Sequence, residues 1–311
     1  MATPAPAGPP LQREYFGQPR GLYLIAATEM WERFSYYGMR ALLVLFLTAA
    51  TADEGFGWSD AEALRLYGLY TALVWATPVL GGWIGDRLLG QQRAIMIGAG
   101  LMVTGHLLMA GPAVWPWALS WLSGYDLHAM LIGADVTLGR LTIAPETAAA
   151  LAAAAPDAGR DWLFAVYRGI GWSFYGALAF LVVGAGFYIA NSAVLVGKLY
   201  PPDSPKREGA FTIFYMAINI GALLPGFIVG TLGERMGWHY GFSAAALGML
   251  VGMAGFAVLA PRWLGAIGKF PQQRDQGFAR SPLSAAEKGQ LRLILVLAAF
   301  AVLFWTGFEQ W

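Results

Sequence analysis

An all-α, polytopic membrane protein is the fold class this sequence predicts, and three observations carry the prediction. Hydrophobic residues make up 57% of the 311 and charged residues only 13%, about half the charged share of a soluble domain. Apolar stretches long enough to cross a bilayer, which takes about 20 residues, recur at 22–48, 62–85, 92–111, 173–197, 210–232, 240–260 and 291–311. Basic residues then alternate between connections in the way an alternately threaded chain requires.

The elements follow in order. Residues 1–20 form a Pro- and Ala-rich polar tail without the short apolar run of a secretory signal, so the first apolar stretch is a span and not a cleaved leader. With a cytoplasmic N-terminus, thirteen basic residues and all four lysines fall on the tail and the connections after spans two, four and six, against five on the opposite side. That asymmetry sets the orientation. Residues 21–261 make a six-span bundle interrupted by an extracytoplasmic insertion at 112–171. A basic, Gly- and Gln-rich cytoplasmic linker covers 262–290, and 291–311 begin a seventh span with which the sequence stops.

The first span carries costly chemistry. Glu29, Glu32, Arg33 and Arg40 interrupt its apolar run, and four charges facing lipid would cost about 10 kcal/mol, at about 2.5–3.5 kcal/mol each. At about 100° per residue, Glu29, Glu32, Arg33, Tyr36, Tyr37 and Arg40 gather on one face, while Trp31, Phe34, Leu42 and Leu45 point away. Glu29 and Arg33 are also an i, i+4 pair in the favourable order. Two readings fit such a stripe, an ion pair that fixes helix packing or the lining of a solvated binding cavity.

The insertion at 112–171 holds Trp115, Trp117 and Trp121, then an alanine run from Ala148 to Ala155 between Pro145 and Pro156. Tryptophans favour the headgroup level and alanine favours helix, so the segment reads as interfacial or periplasmic, with a hidden pair of extra spans, which would preserve the topology, as the alternative. Glycine pairs four apart, Gly226 with Gly230 and Gly248 with Gly252, read as close-packing sites between helices.

Several function classes drop out. With no cysteine there is no disulfide, thiol catalysis or cysteine metal site, and His106, His128 and His239 show no metal-ligand spacing. A net charge of +1 argues against nucleic acid as partner. Ser35 has no histidine on its helix and the buried acids have no nucleophile beside them, so the chain is read as no enzyme and as needing no cofactor.

Between spans two and three runs Gly82-Trp83-Ile84-Gly85-Asp86-Arg87-Leu88-Leu89-Gly90-Gln91-Gln92-Arg93. This resembles the loop signature of the major facilitator superfamily, where an acid and basic residues in a glycine-bearing turn form a gating charge network, here Asp86, Arg87 and Arg93. Three further segments narrow the resemblance. Glu29-Met30-Trp31-Glu32-Arg33 followed by Tyr36 and Tyr37 looks like the first-helix E-x-x-E-R signature of the proton-coupled oligopeptide transporter (POT) family. Phe214-Tyr215-Met216-Ala217-Ile218-Asn219-Ile220-Gly221 is similar to its fifth-helix signature, and Phe304 to Gln310 resembles its seventh-helix F-E-Q segment.

The resemblance implies the N-terminal six-helix bundle of a major facilitator fold plus most of helix 7, in a multi-pass protein of a bacterial cell inner membrane. It further implies alternating access that couples protons to uptake of di- and tripeptides. Arg33 would then meet the peptide carboxylate, Tyr36, Tyr37 and Trp75 would line the pocket, and Asn219 would bond the peptide backbone. Glu29, Glu32 and Glu309 would handle protons. Protonating Glu309 would release Arg33 for substrate, since a guanidinium that can grip a carboxylate through two charge-assisted bonds is contested by a facing acid.

Departures from the family pattern matter too. Gly186-Phe187-Tyr188-Ile189-Ala190-Asn191 places Ile189 where the family usually has lysine, and Trp75 stands where tyrosine is common. The linker leaves no room for the extra helix pair of many bacterial members, and the second six-helix half, which would close the site at the midplane, is missing after Trp311, so the sequence reads as a fragment or as a half bundle. These departures favour two alternatives: a member carrying another small anion or peptide-like solute, or a non-transporting half bundle that partners another membrane protein.

Overall fold

Proline and capping chemistry set the helix starts. The computed structural model describes residues 13–50, 55–123, 134–137, 140–143, 158–201, 203–271 and 284–308. A small antiparallel hairpin, β1 (Glu14–Tyr15) with β2 (Gln18–Pro19), leads into α1 (Arg20–Thr48), and Pro19 at φ −59 supplies the extended residue from which that helix begins. In front of α2 (Asp60–Ala76), the Ser59 hydroxyl accepts from the Glu62 N–H while the Glu62 carboxylate accepts from the Ser59 N–H, a reciprocal cap that satisfies two otherwise orphaned donors.

Span two is broken in the middle. Pro78 has no N–H to continue the helical ladder, so α2 ends at Ala76 and α3 (Pro78–Ile84) begins afresh. The Thr77 hydroxyl at the break donates to the Val182 carbonyl at 3.0 Å, tying the kink to a neighbouring helix. One π-turn, Gly85–Leu89, follows, closed by Gly90 at φ +82, a conformation that glycine adopts without steric cost.

The third and fourth spans are longer than expected. α4 (Gln91–Ser123) has 33 residues and α5 (Ala158–Gly197) has 40, about 50 and 60 Å at 1.5 Å per residue, against a hydrocarbon core near 30 Å. The two ends of the 112–171 segment therefore continue the helices beyond the expected spans. Between them stands an antiparallel hairpin, β3 (Ala134–Thr137) with β4 (Arg140–Ile143); the alanine run lies outside the described residues.

Span five is α6 (Lys206–Pro225), a second π-turn at Gly226–Gly230, and α7 (Thr231–Met236). Here the glycine reading is corrected in part. A Cβ on Gly248 or Gly252 would run into Phe34 or Trp31 of α1, as a close-packing pair requires, but one on Gly226 meets nothing and one on Gly230 only its own turn. The reason is Pro225, which breaks the ladder just before them and places both glycines in the π-turn. Gly237 at φ +122 then starts α8 (Trp238–Trp263).

α9 (Ala285–Phe308) begins six residues before the expected span, because Ser284 and Glu287 form another reciprocal cap. The chain divides into two compact units, Met1–Gln272 and Gln273–Trp311, and α9 belongs to the second. Among the described residues, four stretches are apolar enough throughout to cross a membrane: Gln91–Gly111, Trp172–Gly197, Lys206–Met236 and Trp238–Trp263, with mean hydropathy 1.7–2.0. α1 is long enough, but its acids and arginines interrupt it.

In the first unit α1 is the central post, packed on α6 and α8 while α4 packs on α5 and α8. Phe46 anchors one end of it, with ring centroids 4.8 Å from Phe56, 5.4 Å from Phe242 and 6.1 Å from Phe174. Such clusters supply large apolar burial with defined ring geometry.

Candidate functional site

The charged face of α1 is buried inside the bundle. Glu29, Glu32 and Arg33 are 2%, 0% and 4% exposed. Arg33 Nε donates to Glu29 Oε1 at 3.1 Å and lies 2.7 Å from Glu32 Oε2, so two carboxyl groups converge on one guanidinium nitrogen. With both ionised, the cluster carries one negative charge in excess, and a single proton neutralises it. Among the described residues, Glu29 Oε2, Glu32 Oε1 and the Tyr36 hydroxyl are buried and bond no other protein group, which leaves their hydrogen-bonding capacity open to water, a proton or a ligand.

A tyrosine shell surrounds this core. Tyr36 and Tyr37 meet edge to face at 5.2 Å, and the Arg33 guanidinium lies 5.7 Å from the Tyr36 ring. Arg40 sits 6.0 Å from the Tyr37 ring and 5.4 Å from that of Tyr67, and its Nε donates to the Tyr67 hydroxyl. Tyr70 of α2 and Tyr188 of α5 are both fully buried, Tyr70 within electrostatic range of Glu32 and Arg40 and Tyr188 within range of Glu29, Glu32 and Arg33.

Backbone contact closes the site from another side. A Cβ on Gly221 of α6 would collide with the Met30 carbonyl and the Arg33 Cβ, so only glycine there lets α6 lie directly on the charged turn of α1. Asn219 is exposed, its amide donating to the Tyr215 carbonyl of its own helix at 2.8 Å. Trp75 is 55% exposed. The structure thus gathers Glu29, Glu32, Arg33, Tyr36 and Tyr37, leaves Trp75 and Asn219 on exposed faces, and does not extend to Glu309, which lies outside the described residues.

At the other predicted constellation, the acid finds an amide where an arginine was expected. Asp86 Oδ1 accepts from Gln91 Nε2 at 2.6 Å, and Gln91 Oε1 accepts from Lys198 Nζ at 2.7 Å. Gln91 is fully buried and links the two charges. Arg87 packs over the Trp83 ring at 5.3 Å, and Arg93 is exposed. Partial burial lowers the pKa of the Lys198 ammonium, and Asp86 offsets part of that.

The same turn is bolted to the start of the linker. Gln92 donates through its amide to the carbonyls of Gly265 and Ile267, at 3.1 and 2.7 Å, and through its backbone N–H to Gly268 at 2.9 Å. A Cβ on Gly90 would meet the Gly268 and Lys269 carbonyls.

Comparison with known proteins decides the family. The POT family profile matches residues 92–264, more than half of the chain. This chain belongs to the POT family. It is 33% identical over 257 residues to the uncharacterized transporter YclF of Bacillus subtilis, covering 83% of this chain and 41% of that one. Against the di-/tripeptide transporter of Lactococcus lactis subsp. lactis it is 32% identical over 294 residues, covering 94% and 46%. A crystal structure of a peptide transporter POT in complex with sulfate superposes with a TM-score of 0.62 at 30% identity, covering 94% of this chain and 46% of that one. The chain spans about half the length of the curated relatives it matches.

Membership gives the predominantly helical major facilitator architecture. In this POT chain, the residues that sequence reasoning missed are Tyr67, Tyr70, Tyr188 and Gln91. Tyr67 and Tyr70 stand three apart on α2 and therefore share a face, a signal available in the sequence. Tyr188 directly precedes Ile189, which is half-buried and packs on the apolar core.

Proposed function

We propose that this chain supplies the substrate- and proton-handling first half of a POT symporter that imports di- and tripeptides by alternating access, with protons as coupling ion and no cofactor. The observation that carries the reading is the pair of buried carboxyl groups sharing the single Arg33 guanidinium, where one proton decides the net charge. In this reading, protonation of Glu29 or Glu32 weakens their hold on Arg33. Its N–H donors then turn to the substrate carboxylate, which binds through charge-assisted bonds. Glu309 carries the proton onward, and Tyr36, Tyr37 and Trp75 wall the pocket while Asn219 bonds the peptide backbone.

Asp86, Arg87 and Arg93 act at the gate in this scheme. The protein sits in the cell inner membrane with its N-terminus cytoplasmic, and the C-terminal half of the transporter completes the site. Support comes from the family match and from the di-/tripeptide activity named for the Lactococcus relative.

Uptake of labelled dipeptides into proteoliposomes under an imposed proton gradient tests it, with the full-length protein carrying Glu309→Gln. Gradient-driven uptake should vanish while counterflow exchange persists; retention of both would reject the proton role. Ile189 favours a second reading, cargo of another small anion or peptide-like solute, because the family's usual cation at that position is absent. Transport of such solutes with no dipeptide uptake in the same vesicles would select it.

A further inference from the structure

The hairpin in front of α1 presents an aromatic tip that its own folding does not require. Phe16 and Gly17 are the two turn residues between β1 and β2, at φ +47 and φ +76. A two-residue turn with both central φ values positive favours Asn-Gly or Asp-Gly, and a bulky side chain in that region is strained. Phenylalanine is thus a poor choice for the turn. Its ring is also 97% exposed, beside a Tyr15 ring 45% exposed, so it contributes nothing to the core.

The tip is held rigidly. Glu14 pairs with Lys206 at 2.6 Å, the Tyr200 hydroxyl donates to Gln18 Oε1 at 2.6 Å, and Gln18 donates to the Lys206 carbonyl at 3.4 Å. On the other side, the Tyr23 hydroxyl donates to the Tyr15 carbonyl at 2.9 Å, and the Arg20 guanidinium stacks on the Tyr15 ring at 4.3 Å. These bonds tie both strands to the first turn of α1 and to the connection between α5 and α6. The hairpin cannot fold away from the end of the bundle.

Height along the membrane normal follows from the covalent geometry. The apolar run of α1 starts at Leu22, two residues after the helix begins. Two helical residues and strands of two residues together reach at most about 10 Å beyond that point. The headgroup layer on each face is about 5–8 Å deep, from a core near 30 Å and a full thickness near 40–45 Å. Phe16 therefore lies within about 10 Å of the start of that apolar run, a range that takes in the headgroup layer, where aromatic rings are favoured. Arg13 and Arg20 flank the tip in sequence and Arg20 stacks on Tyr15, cations that suit anionic headgroups.

We propose that the Tyr15-Phe16 tip is an interfacial anchor that inserts between anionic lipids and fixes the start of α1 at the bilayer surface. These 311 residues have no cysteine, so once any cysteine elsewhere in the full-length transporter is replaced, single-site labelling follows. The full-length transporter carrying Phe16→Cys is labelled with bimane and placed in phosphatidylethanolamine/phosphatidylglycerol vesicles. Nitroxides at headgroup depth should quench the label several-fold more than they quench one at Asp203→Cys, an exposed position in the α5–α6 connection, and aqueous iodide should quench it less. Iodide quenching equal to that of the control, or no quenching by either agent, overturns the proposal.

A second variant removes dependence on labelling the tip itself. Phe16→Asn suits the turn better and keeps the hairpin; with the label at Tyr15→Cys, it should lower nitroxide quenching several-fold. Unchanged quenching would show that the ring holds nothing in the lipid.

Discussion

In the proposed mechanism Arg33 decides the chemistry, as the cation that two buried carboxyl groups share. Lysine cannot reproduce the planar fork of donors, so Arg33→Lys is expected to lose about 1.5–3 kcal/mol of charge-assisted bonding, or about ten- to hundredfold in substrate affinity, read by competition with a labelled dipeptide. Glu32→Gln should flatten the pH dependence of uptake between the proton-loaded and empty states while counterflow survives, and an unaltered pH profile would remove Glu32 from coupling. Gly221→Ala tests the packing beneath: its methyl group would press on the Met30 carbonyl, and overpacking of this kind costs about 1–3 kcal/mol, measurable as a lower unfolding temperature in detergent. The E-x-x-E-R face was legible in the sequence because charge in lipid is too costly to be incidental. The tyrosine shell was less so, because Tyr70 and Tyr188 reach the site from other helices, and a single helix's periodicity cannot say which helices meet.

At the level of elements, the helices were readable and their ends were not. Apolar length marks the expected spans, but α4 and α5 continue past them, and nothing in hydropathy reports where a helix ends. The break in span two needed Pro78, and the π-turn after Pro225 moved Gly226 and Gly230 out of the helix contact their spacing suggested. The turn after α3 shows a finer limit. Its acid invited an arginine partner, yet Gln91, which can donate and accept at once, bridges Asp86 to Lys198. Gln91→Leu is roughly isosteric and breaks both bonds, leaving Asp86 and Lys198 without the group that spaces them. Transport rate should fall at least several-fold with substrate affinity little changed, as expected for a conformational step and not for binding; a lost affinity with normal maximal rate would place Gln91 at the substrate site.

For the whole molecule, the question is how the bundle is threaded through its membrane. Exposed apolar side chains cover α2 and α3 (Leu64, Leu69, Leu73, Val79, Leu80) and α6 (Met216, Ile220, Leu223), a surface far larger than soluble proteins leave bare, so only lipid or further protein can cover it. Orientation rests on charge: thirteen basic residues on one set of connections against five on the other. The rule weighs short connections most heavily, and the stretch around Lys198, Lys206 and Arg207 is short, with three cations. Ala61 and Asp203 are exposed at the two ends of the bundle, so single cysteines at these positions report on opposite compartments. In intact spheroplasts, a membrane-impermeant maleimide should modify Ala61→Cys and spare Asp203→Cys until the cells are lysed. The reverse pattern would invert the topology, and with it the direction in which protonation of the Glu29, Glu32 and Arg33 cluster could drive solute, because protons flow inward only from the side that the energised membrane makes acidic.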